Sequence, residues 1–409
     1  MENSTNSTPP LHNSITPSLP CVKCGSCKAL CPTYAEDATE RMSARGRVVL
    51  TEKFRDGELG PSKKLEDALF GCVLCGACNK LCPLGVSVTD AICDARERLS
   101  SSNKKRRVLN FIAKAGFKRT PETFKILKFI EGMGEILPIF KIKPFKTIRT
   151  MGLRFPDAAL REGMSIFKVS RPKGRIAVFS GCTANFLYPS MGMALIESLN
   201  MMNYEVVLPK GEVCCGAPLM GLGLKDDAAE MAERNLASFK KLNAEAVVSL
   251  CPTCVHFIKN EYKKLAGESI DIAMEISQFL SLESGIGSSG PVNSKLKAKN
   301  SKLRVVYHDP CHSLYNLNVS SEPREILKSI GFNVVDSSGG CCGFGGSFRL
   351  LYQELSEGIL GQRIQDYKGA DMIVTSCPNC ILQLRSKIKD KPVRHIAEVI
   401  KESIKGEGR

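Results

Sequence analysis

Two five-cysteine patterns of matched spacing constrain this chain more than any other feature. Cys182 precedes Cys214-Cys215-Gly216, and Cys251-Pro252-Thr253-Cys254 follows; further on, Cys311 precedes Cys341-Cys342-Gly343, and Cys377-Pro378-Asn379-Cys380 follows. The gaps are 31 and 35 residues in the first copy and 29 and 34 in the second. Thiols recurring so regularly are too ordered for chance and too dense for ordinary packing. Short apolar runs and helix-periodic stretches fill the gaps. Ile176–Ser180, Glu205–Leu208 and Ala246–Leu250 read as strands in the first copy, with helices over Tyr188–Met202 and Lys225–Leu242. Arg304–Tyr307, Asn333–Asp336 and Met372–Thr375 read as strands in the second, with helices over Glu322–Ile330 and Tyr352–Tyr367. Each copy is then a β-α-β-α-β unit, which implies a parallel sheet with helices on its faces. Ligands of such sheets gather beyond the carboxyl ends of the strands. All ten cysteines stand at such an end or just past it.

Two further cysteine runs lie upstream. Cys21-Val-Lys-Cys24-Gly-Ser-Cys27-Lys-Ala-Leu-Cys31-Pro32 and Cys72-Val-Leu-Cys75-Gly-Ala-Cys78-Asn-Lys-Leu-Cys82-Pro83 both have the C-x₂-C-x₂-C-x₃-C-P spacing of bacterial ferredoxins. Three closely spaced thiols wrap one cubane, and the fourth ligates the other cluster. The expectation is one [4Fe–4S] cubane on Cys21, Cys24, Cys27 and Cys82, and a second on Cys72, Cys75, Cys78 and Cys31. A pair of zinc sites is the alternative, although zinc seldom uses three such thiols followed by Cys-Pro. The polar, helix-prone stretch Glu36–Phe54 between the runs and a helix over Ser87–Leu99 make this module mostly α-helical. Cys93 lies on that helix outside every motif and reads as a small buried hydrophobe.

The expected fold class is therefore an α/β C-terminal half built of two repeated parallel-sheet Cys-Cys-Gly domains, preceded by a mostly α-helical bis-[4Fe–4S] ferredoxin domain. The expected boundaries are a disordered arm at 1–20, the ferredoxin domain at 21–100 and a basic connecting or docking segment at 101–174. The first Cys-Cys-Gly domain follows at 175–280, a linker at 281–303 and the second domain at 304–400.

Composition narrows the setting. A hydrophobic fraction of 43% with 24% charged residues is that of a soluble globular protein. The first twenty residues are polar and lack the apolar core of a secretion signal, so the nineteen cysteines are expected to be reduced, metal-holding thiolates in the cytoplasm. No apolar run approaches the length of a membrane-spanning helix. The net charge of +15 is concentrated, with 19 Lys and Arg against 5 Asp and Glu between Ser101 and Arg175. That segment is either a solvated connector or a docking surface for anionic lipid, at the inner face of the membrane, or for an acidic partner. Within it Phe124–Ile130 suggests an amphipathic helix and Phe140–Lys146 an irregular strap. Nucleic-acid binding is disfavoured, because no aromatic stacking platform accompanies the charge.

Five thiols per copy exceed the four of a conventional cubane or a zinc site. Adjacent cysteines suit a bridging thiolate or an opened cluster. A vicinal redox disulfide at Cys214-Cys215 stays open, but it leaves the Cys-Pro-x-Cys pair without a role. Taken with Cys31-Pro-Thr-Tyr34, Ala44-Arg-Gly-Arg47, Gly181-Cys182, His308-Asp-Pro-Cys-His312 and Ser376-Cys-Pro-Asn-Cys380, the chain resembles the iron–sulfur subunits of glycolate and lactate oxidases. It also resembles the heterodisulfide reductase subunit that fuses a ferredoxin domain to two Cys-Cys-Gly domains. The resemblance implies one or two noncubane [4Fe–4S] clusters. One would sit on Cys182, Cys214, Cys215, Cys251 and Cys254, the other on Cys311, Cys341, Cys342, Cys377 and Cys380.

The oxidase branch implies an electron-transfer subunit. It would take electrons from an FAD-containing dehydrogenase subunit, since this chain lacks a Gly-x-Gly-x-x-Gly turn of its own, and pass them to a quinone or other carrier. The reductase branch implies disulfide cleavage at a cluster, with Cys311, Cys341 and Cys342 as candidate catalytic residues. His308 and His312 flank Cys311; they would either supply protons or hydrogen-bond backbone and cluster sulfur.

Overall fold

A computed structural model describes residues 20–102, 104–132, 151–161, 166–284 and 303–405. Residues 1–19 of the expected arm, the expected strap at Phe140–Lys146 and residues 285–302 of the expected linker lie outside the described residues.

The N-terminal module is helical, with short turns around the cysteines. Its helices are Pro32–Glu36, Ala44–Arg55, Lys63–Phe70, Ala77–Leu81 and Val88–Leu99. Ser43 starts the second by accepting from the Gly46 N–H at 2.9 Å, and Ser62 starts the third by accepting from Leu65. The two cysteine runs share one backbone course. Lys23 and Leu74 (φ 58° and 57°), then Gly25 and Gly76 (φ 91° and 81°), take left-handed conformations at matched positions. That course folds three thiols toward one point, and glycine carries no Cβ penalty there.

Buried Arg47 holds the module together. Its guanidinium donates to the carbonyls of Ala68 (2.7 Å), Met42 (2.7 Å) and Gly71 (2.9 Å) and to Thr33 Oγ1 (2.9 Å). Five donors in a rigid fork make arginine suited to such a clamp.

The basic segment forms two helices, Lys104–Lys118 and Thr120–Gly132. Part of its charge is used internally. Lys114 and Lys118 pair with Asp227, and Lys118 also pairs with Glu230, on a helix of the first repeat. Arg106 lies 3.6 Å over the Phe70 ring. Phe124 stacks on Phe186 at 4.6 Å. Val108, Phe111, Ile112, Ile126 and Phe129 face outward.

Each repeat is a parallel sheet. The first contains β1 (Ile166–Phe167), β2 (Gly174–Phe179), β3 (Tyr204–Val207), β4 (Ala246–Ser249) and β5 (Ala273–Glu275), in the order β1-β3-β2-β4-β5. Only β1 is antiparallel. The second contains β6 (Arg304–Tyr307), β7 (Asn333–Val335), β8 (Met372–Thr375) and β9 (Val393–His395), in the order β7-β6-β8-β9, all parallel. The central strands β4 and β8 are Ala-Val-Val-Ser and Met-Ile-Val-Thr, buried throughout, as strands covered on both faces must be.

Three features depart from the expected units. A fourth parallel strand, β5 or β9, completes each sheet. The helix Ile276–Ser284 runs into the stretch read as linker. The strand β1 comes from the stretch read as connector. Three-residue strands such as Ala-Met-Glu and Val-Arg-His are too short to show an alternation.

The repeats then embrace. One continuous apolar core runs through both sheets. The helix Pro189–Met201 of the first packs on the last helix of the second, Ile396–Lys405, and Ile276–Ser284 packs on Ser321–Ile330.

Candidate metal centres

The N-terminal thiols line two cavities. Cys21, Cys24, Cys27 and Cys82 surround one, with Arg45, Val48, Val86 and Val88 on its walls. Cys31, Cys72, Cys75 and Cys78 surround the other, with Thr33, Arg47 and Ile92. Each run thus lends its fourth cysteine to the cavity of the other. No carboxylate or imidazole lines either cavity among the described residues. Burial pushes the Cys27, Cys75 and Cys78 thiols up; a bound cationic metal reverses that effect. Arg45 and Arg47, two residues apart on one helix, bring one guanidinium to each cavity. Arg45 is held by Glu40 (2.7 Å) and by the Lys23 carbonyl (3.1 Å). Four thiols and a cation around a small cavity fit an anionic iron–sulfur cluster. Cys24 is exposed, while Cys75 and Cys78 are buried.

The ten cysteines of the repeats form one unbroken line of neighbouring thiols. In the first repeat it runs Cys182, Cys214, Cys215, Cys254, Cys251. It crosses between the repeats where Cys251 meets Cys377. It continues through Cys380 and Cys342, whose sulfurs are 3.4 Å apart, to Cys341 and Cys311. Strand ends set these positions. Cys182 follows β2, Cys214-Cys215 follows β3 and Cys251 follows β4; Cys311, Cys341-Cys342 and Cys377 follow β6, β7 and β8. All nineteen cysteines are free thiols.

Thiol–thiol contact lowers the pKa of four of the ten, Cys215, Cys251, Cys342 and Cys311, and raises that of their neighbours. Cys341 hydrogen bonding, with help from His312, pulls Cys311 down to about 5. Contacts with Cys341 and Cys380 hold Cys342 well below the ordinary thiol value, and those with Cys254 and Cys377 do the same for Cys251. Thiolates at hand in a buried line of soft donors suit iron.

The residue between the two cysteines of each Cys-Pro-x-Cys reaches into the other repeat. Thr253 Oγ1 meets His312 Nδ1 at 3.1 Å. Asn379 Oδ1 accepts from Thr183 Oγ1 at 2.8 Å, while Asn379 Nδ2 points at Cys251 Sγ, 3.7 Å away. His312 follows Cys311 as Thr183 follows Cys182, so the two contacts are counterparts across a pseudo-two-fold. They tie each site to its twin.

The two candidate histidines sit differently. His312 Nδ1 is 3.8 Å from Cys311 Sγ, and its ring lies 5.4 Å from that of His256. Burial opposes a charge on His312, but the Cys311 sulfur outweighs it and raises its value. Burial, then His312, drives His256 down to about 3. His308 is 1% exposed, and its Nδ1 is 2.6 Å from the Tyr367 hydroxyl. One of its ring nitrogens and the sulfurs of Cys342 and Cys380 all lie within 4.8 Å of one another.

The helical module docks on the second repeat through its inner cavity. Val73, Cys75 and Ala77 share an apolar cluster with Cys341, Cys311, Phe348 and Tyr315. Asn316 Nδ2 donates to the Cys75 carbonyl at 3.4 Å, and Gln362 to Glu36 at 2.8 Å. Arg96 anchors the other side, donating to the carbonyls of Leu69, Cys72 and Gly221. Cys93 is buried away from the cavities, its thiol pushed up to about 12 by burial.

The sequence motifs did not point to Thr183, Thr253, Asn379, Arg96 or Asn316. The one available signal was that x in Cys-Pro-x-Cys is a side-chain hydrogen-bonding residue in both copies.

Two family models match the chain. A 4Fe-4S dicluster domain covers residues 18–86, and a cysteine-rich domain occurs twice, at 176–259 and 305–385. Curated relatives match along almost the whole length. The probable glycolate oxidase iron–sulfur subunit of Bacillus subtilis is 27% identical, covering 94% of each chain. A dihydromethanophenazine:CoB–CoM heterodisulfide reductase subunit of Methanosarcina mazei is 24% identical, covering 94% of this chain and 93% of that one. A CoM/CoB fumarate reductase subunit of Methanothermobacter marburgensis is 27% identical, covering 93% and 71%.

Proposed function

Because this chain belongs with the iron–sulfur oxidoreductase subunits that join a 4Fe-4S dicluster domain to two cysteine-rich domains, homologous to subunits of glycolate oxidase and of heterodisulfide reductase, we propose that it conducts electrons within a 2-hydroxy-acid oxidase complex. It takes electrons from an FAD-containing dehydrogenase subunit oxidising glycolate or lactate and delivers them to a quinone or another carrier. The observation that carries this reading is the succession of thiols from exposed Cys24, through the inner cavity at Cys75, to Cys311 and on to Cys182.

Two [4Fe–4S] cubanes would be held by Cys21, Cys24, Cys27, Cys82 and by Cys72, Cys75, Cys78, Cys31. One or two noncubane clusters would be held by the five-cysteine sets. When bound, such groups supply one-electron carriage. The chain's own part is to hold thiolates, to balance their charge with Arg45 and Arg47, and to exclude water with the walls at Val48, Ile92 and Phe348. No helix among the described residues is long and apolar enough to cross a membrane. A carrier at the cytoplasmic membrane face would be met at the surface, through the outward apolar residues and the cations of the segment 101–132.

A second reading is favoured by one observation. Both five-cysteine sets are complete, and they meet at Cys251–Cys377, as a site that splits a disulfide between two clusters would require. Cys311, Cys341, Cys342, His308 and His312 would then act on substrate.

Anaerobic purification of the full chain separates the two. The relay reading expects a co-purifying flavoprotein and bleaching of the cluster absorbance by glycolate or lactate. Disulfide cleavage driven by a low-potential donor, with no flavoprotein associated, would overturn it.

A further inference from the structure

The two repeats share four parallel strands in the same order but differ beside their sulfurs. His308 directly follows the first strand of the second repeat, three residues before Cys311; the residue three before Cys182 is Phe179. Strand register agrees, since Phe179 pairs with Ser249 of β4 and the residue before His308 pairs with Val374 of β8. The surroundings agree as well. Phe179 and Cys254 Sγ border the same point beside Gly181, as His308 lies beside Cys380. Phe179 stacks on Phe239 at 5.5 Å; His308 meets Tyr367 edge-on at 6.1 Å. Phe239 and Tyr367 occupy matching places, each at the end of the long helical stretch before the central strand. An apolar aromatic pair in one repeat is therefore a hydrogen-bonded pair in the other.

Hydrogen-bond accounting sets the tautomer. The Tyr367 hydroxyl is buried, and His308 Nδ1 is its partner. Donating its proton to Nδ1 satisfies the hydroxyl and leaves the ring proton on Nε2. The reverse tautomer would strand the hydroxyl hydrogen in the interior at a cost of about 1–3 kcal/mol. Among the described residues, Nε2 is buried and has no hydrogen-bond partner, sulfur included. The nearest soft acceptors to the ring are the Cys342 and Cys380 sulfurs, which lie within 4.8 Å of one of its nitrogens.

We infer that His308, oriented by Tyr367, is a positioning residue that directs an Nε2–H at the Cys342 and Cys380 thiolates and so gives the second repeat's cluster a higher reduction potential than its Phe179-lined twin. A donor on a cysteine sulfur stabilises the charge added on reduction. The two sites are thereby ranked, and an electron reaching the repeats settles preferentially on the second. This rests on the reading that the repeats hold clusters.

Potentiometric titration of the anaerobically purified full chain, followed by electron paramagnetic resonance and accompanied by iron analysis, tests the proposal. His308→Phe, which installs the first repeat's residue, is expected to leave iron unchanged. It should lower one midpoint by about tenfold in the reduction equilibrium, about 59 mV for one electron. Tyr367→Phe keeps the ring volume and should move the same midpoint in the same direction by less; it carries the test alone if His308→Phe does not fold. Unmoved midpoints overturn the inference. Loss of one cluster's iron from His308→Phe also overturns it, making the imidazole a ligand instead. Wild-type iron near eight atoms per chain, against about sixteen for four four-iron clusters, would sink the cluster reading itself before any variant is made.

Discussion

Glu275 and His395 end the last strands of the two sheets in equivalent register, and each crosses into the opposite repeat. Glu275 pairs with Ser249 on β4, and His395 pairs with Thr375 on β8. Glu275 accepts from Ser313 (2.8 Å) and Ser376 (3.2 Å) of the second repeat, and His395 Nε2 meets the Leu250 carbonyl (3.0 Å) of the first. Both are fully buried. The domains are thus latched beside Cys251 and Cys377, which fixes how the two thiol sets face one another.

The latch should make stability depend on pH. Burial, only partly offset by three serine hydroxyls, raises Glu275 to about 7. A carboxyl whose folded value lies above its unfolded one takes up a proton on folding. Its contribution is full below the unfolded value and is lost as pH rises through about 7, on the order of 3 kcal/mol in all. Glu275→Gln is expected to abolish that part of the decline. Urea unfolding of wild type and variant at about pH 5 and about pH 8 checks it; parallel declines in both would remove Glu275 from the account.

Arg47 should be intolerant of lysine. An ammonium keeps the charge but cannot reach the four acceptors at Ala68, Thr33, Met42 and Gly71. Leaving buried carbonyls unpaired costs about 1–3 kcal/mol each. Arg47→Lys is expected to lose iron from the inner cavity during gel filtration, seen as a drop of about four atoms per chain. Full retention of iron would mean that the clamp does not support the cavity.

Gly76 tests the junction with the second repeat. A Cβ there would sit 2.5 Å from Asn316 Oδ1, on a backbone with φ +81°. Gly76→Ala is expected to slow electron passage from the ferredoxin module, followed by stopped-flow absorbance. Adding Asn316→Ala should restore part of the rate, because it removes the clash but not the left-handed strain of about 1 kcal/mol. A double variant no faster than the single one would show that the strain alone matters.

Cys93 should be dispensable for metal. Cys93→Ala is expected to keep its full iron and to lose about 1 kcal/mol of stability from a small buried void. Iron lower by one cluster's worth would place Cys93 among the ligands.

Much of this was legible without coordinates. The cysteine runs, the strands of β-branched residues before each thiol and the helices between them are local features, and periodicity reports them. The basic segment was not legible in the same way. Its surplus charge suggested a docking surface, yet Lys114 and Lys118 are committed to Asp227 and Glu230 more than a hundred residues away. The strands β5 and β9 were hidden by their length, and Glu275 and His395 at their ends looked like ordinary polar residues.

What the sequence determined by itself is the inventory and local geometry of the donors: eight thiols at ferredoxin spacing and ten at strand ends, because ligand spacing and strand register are set by neighbours along the chain. What only the tertiary structure decided is which donors face each other. Cys251 meets Cys377, Cys75 lies by Cys311, and the His308 imidazole lies within 4.8 Å of the Cys342 and Cys380 sulfurs. Those pairings depend on how two sheets and a helical module dock. Docking is set by the sum of many small apolar contacts, and it leaves no periodic trace in the chain.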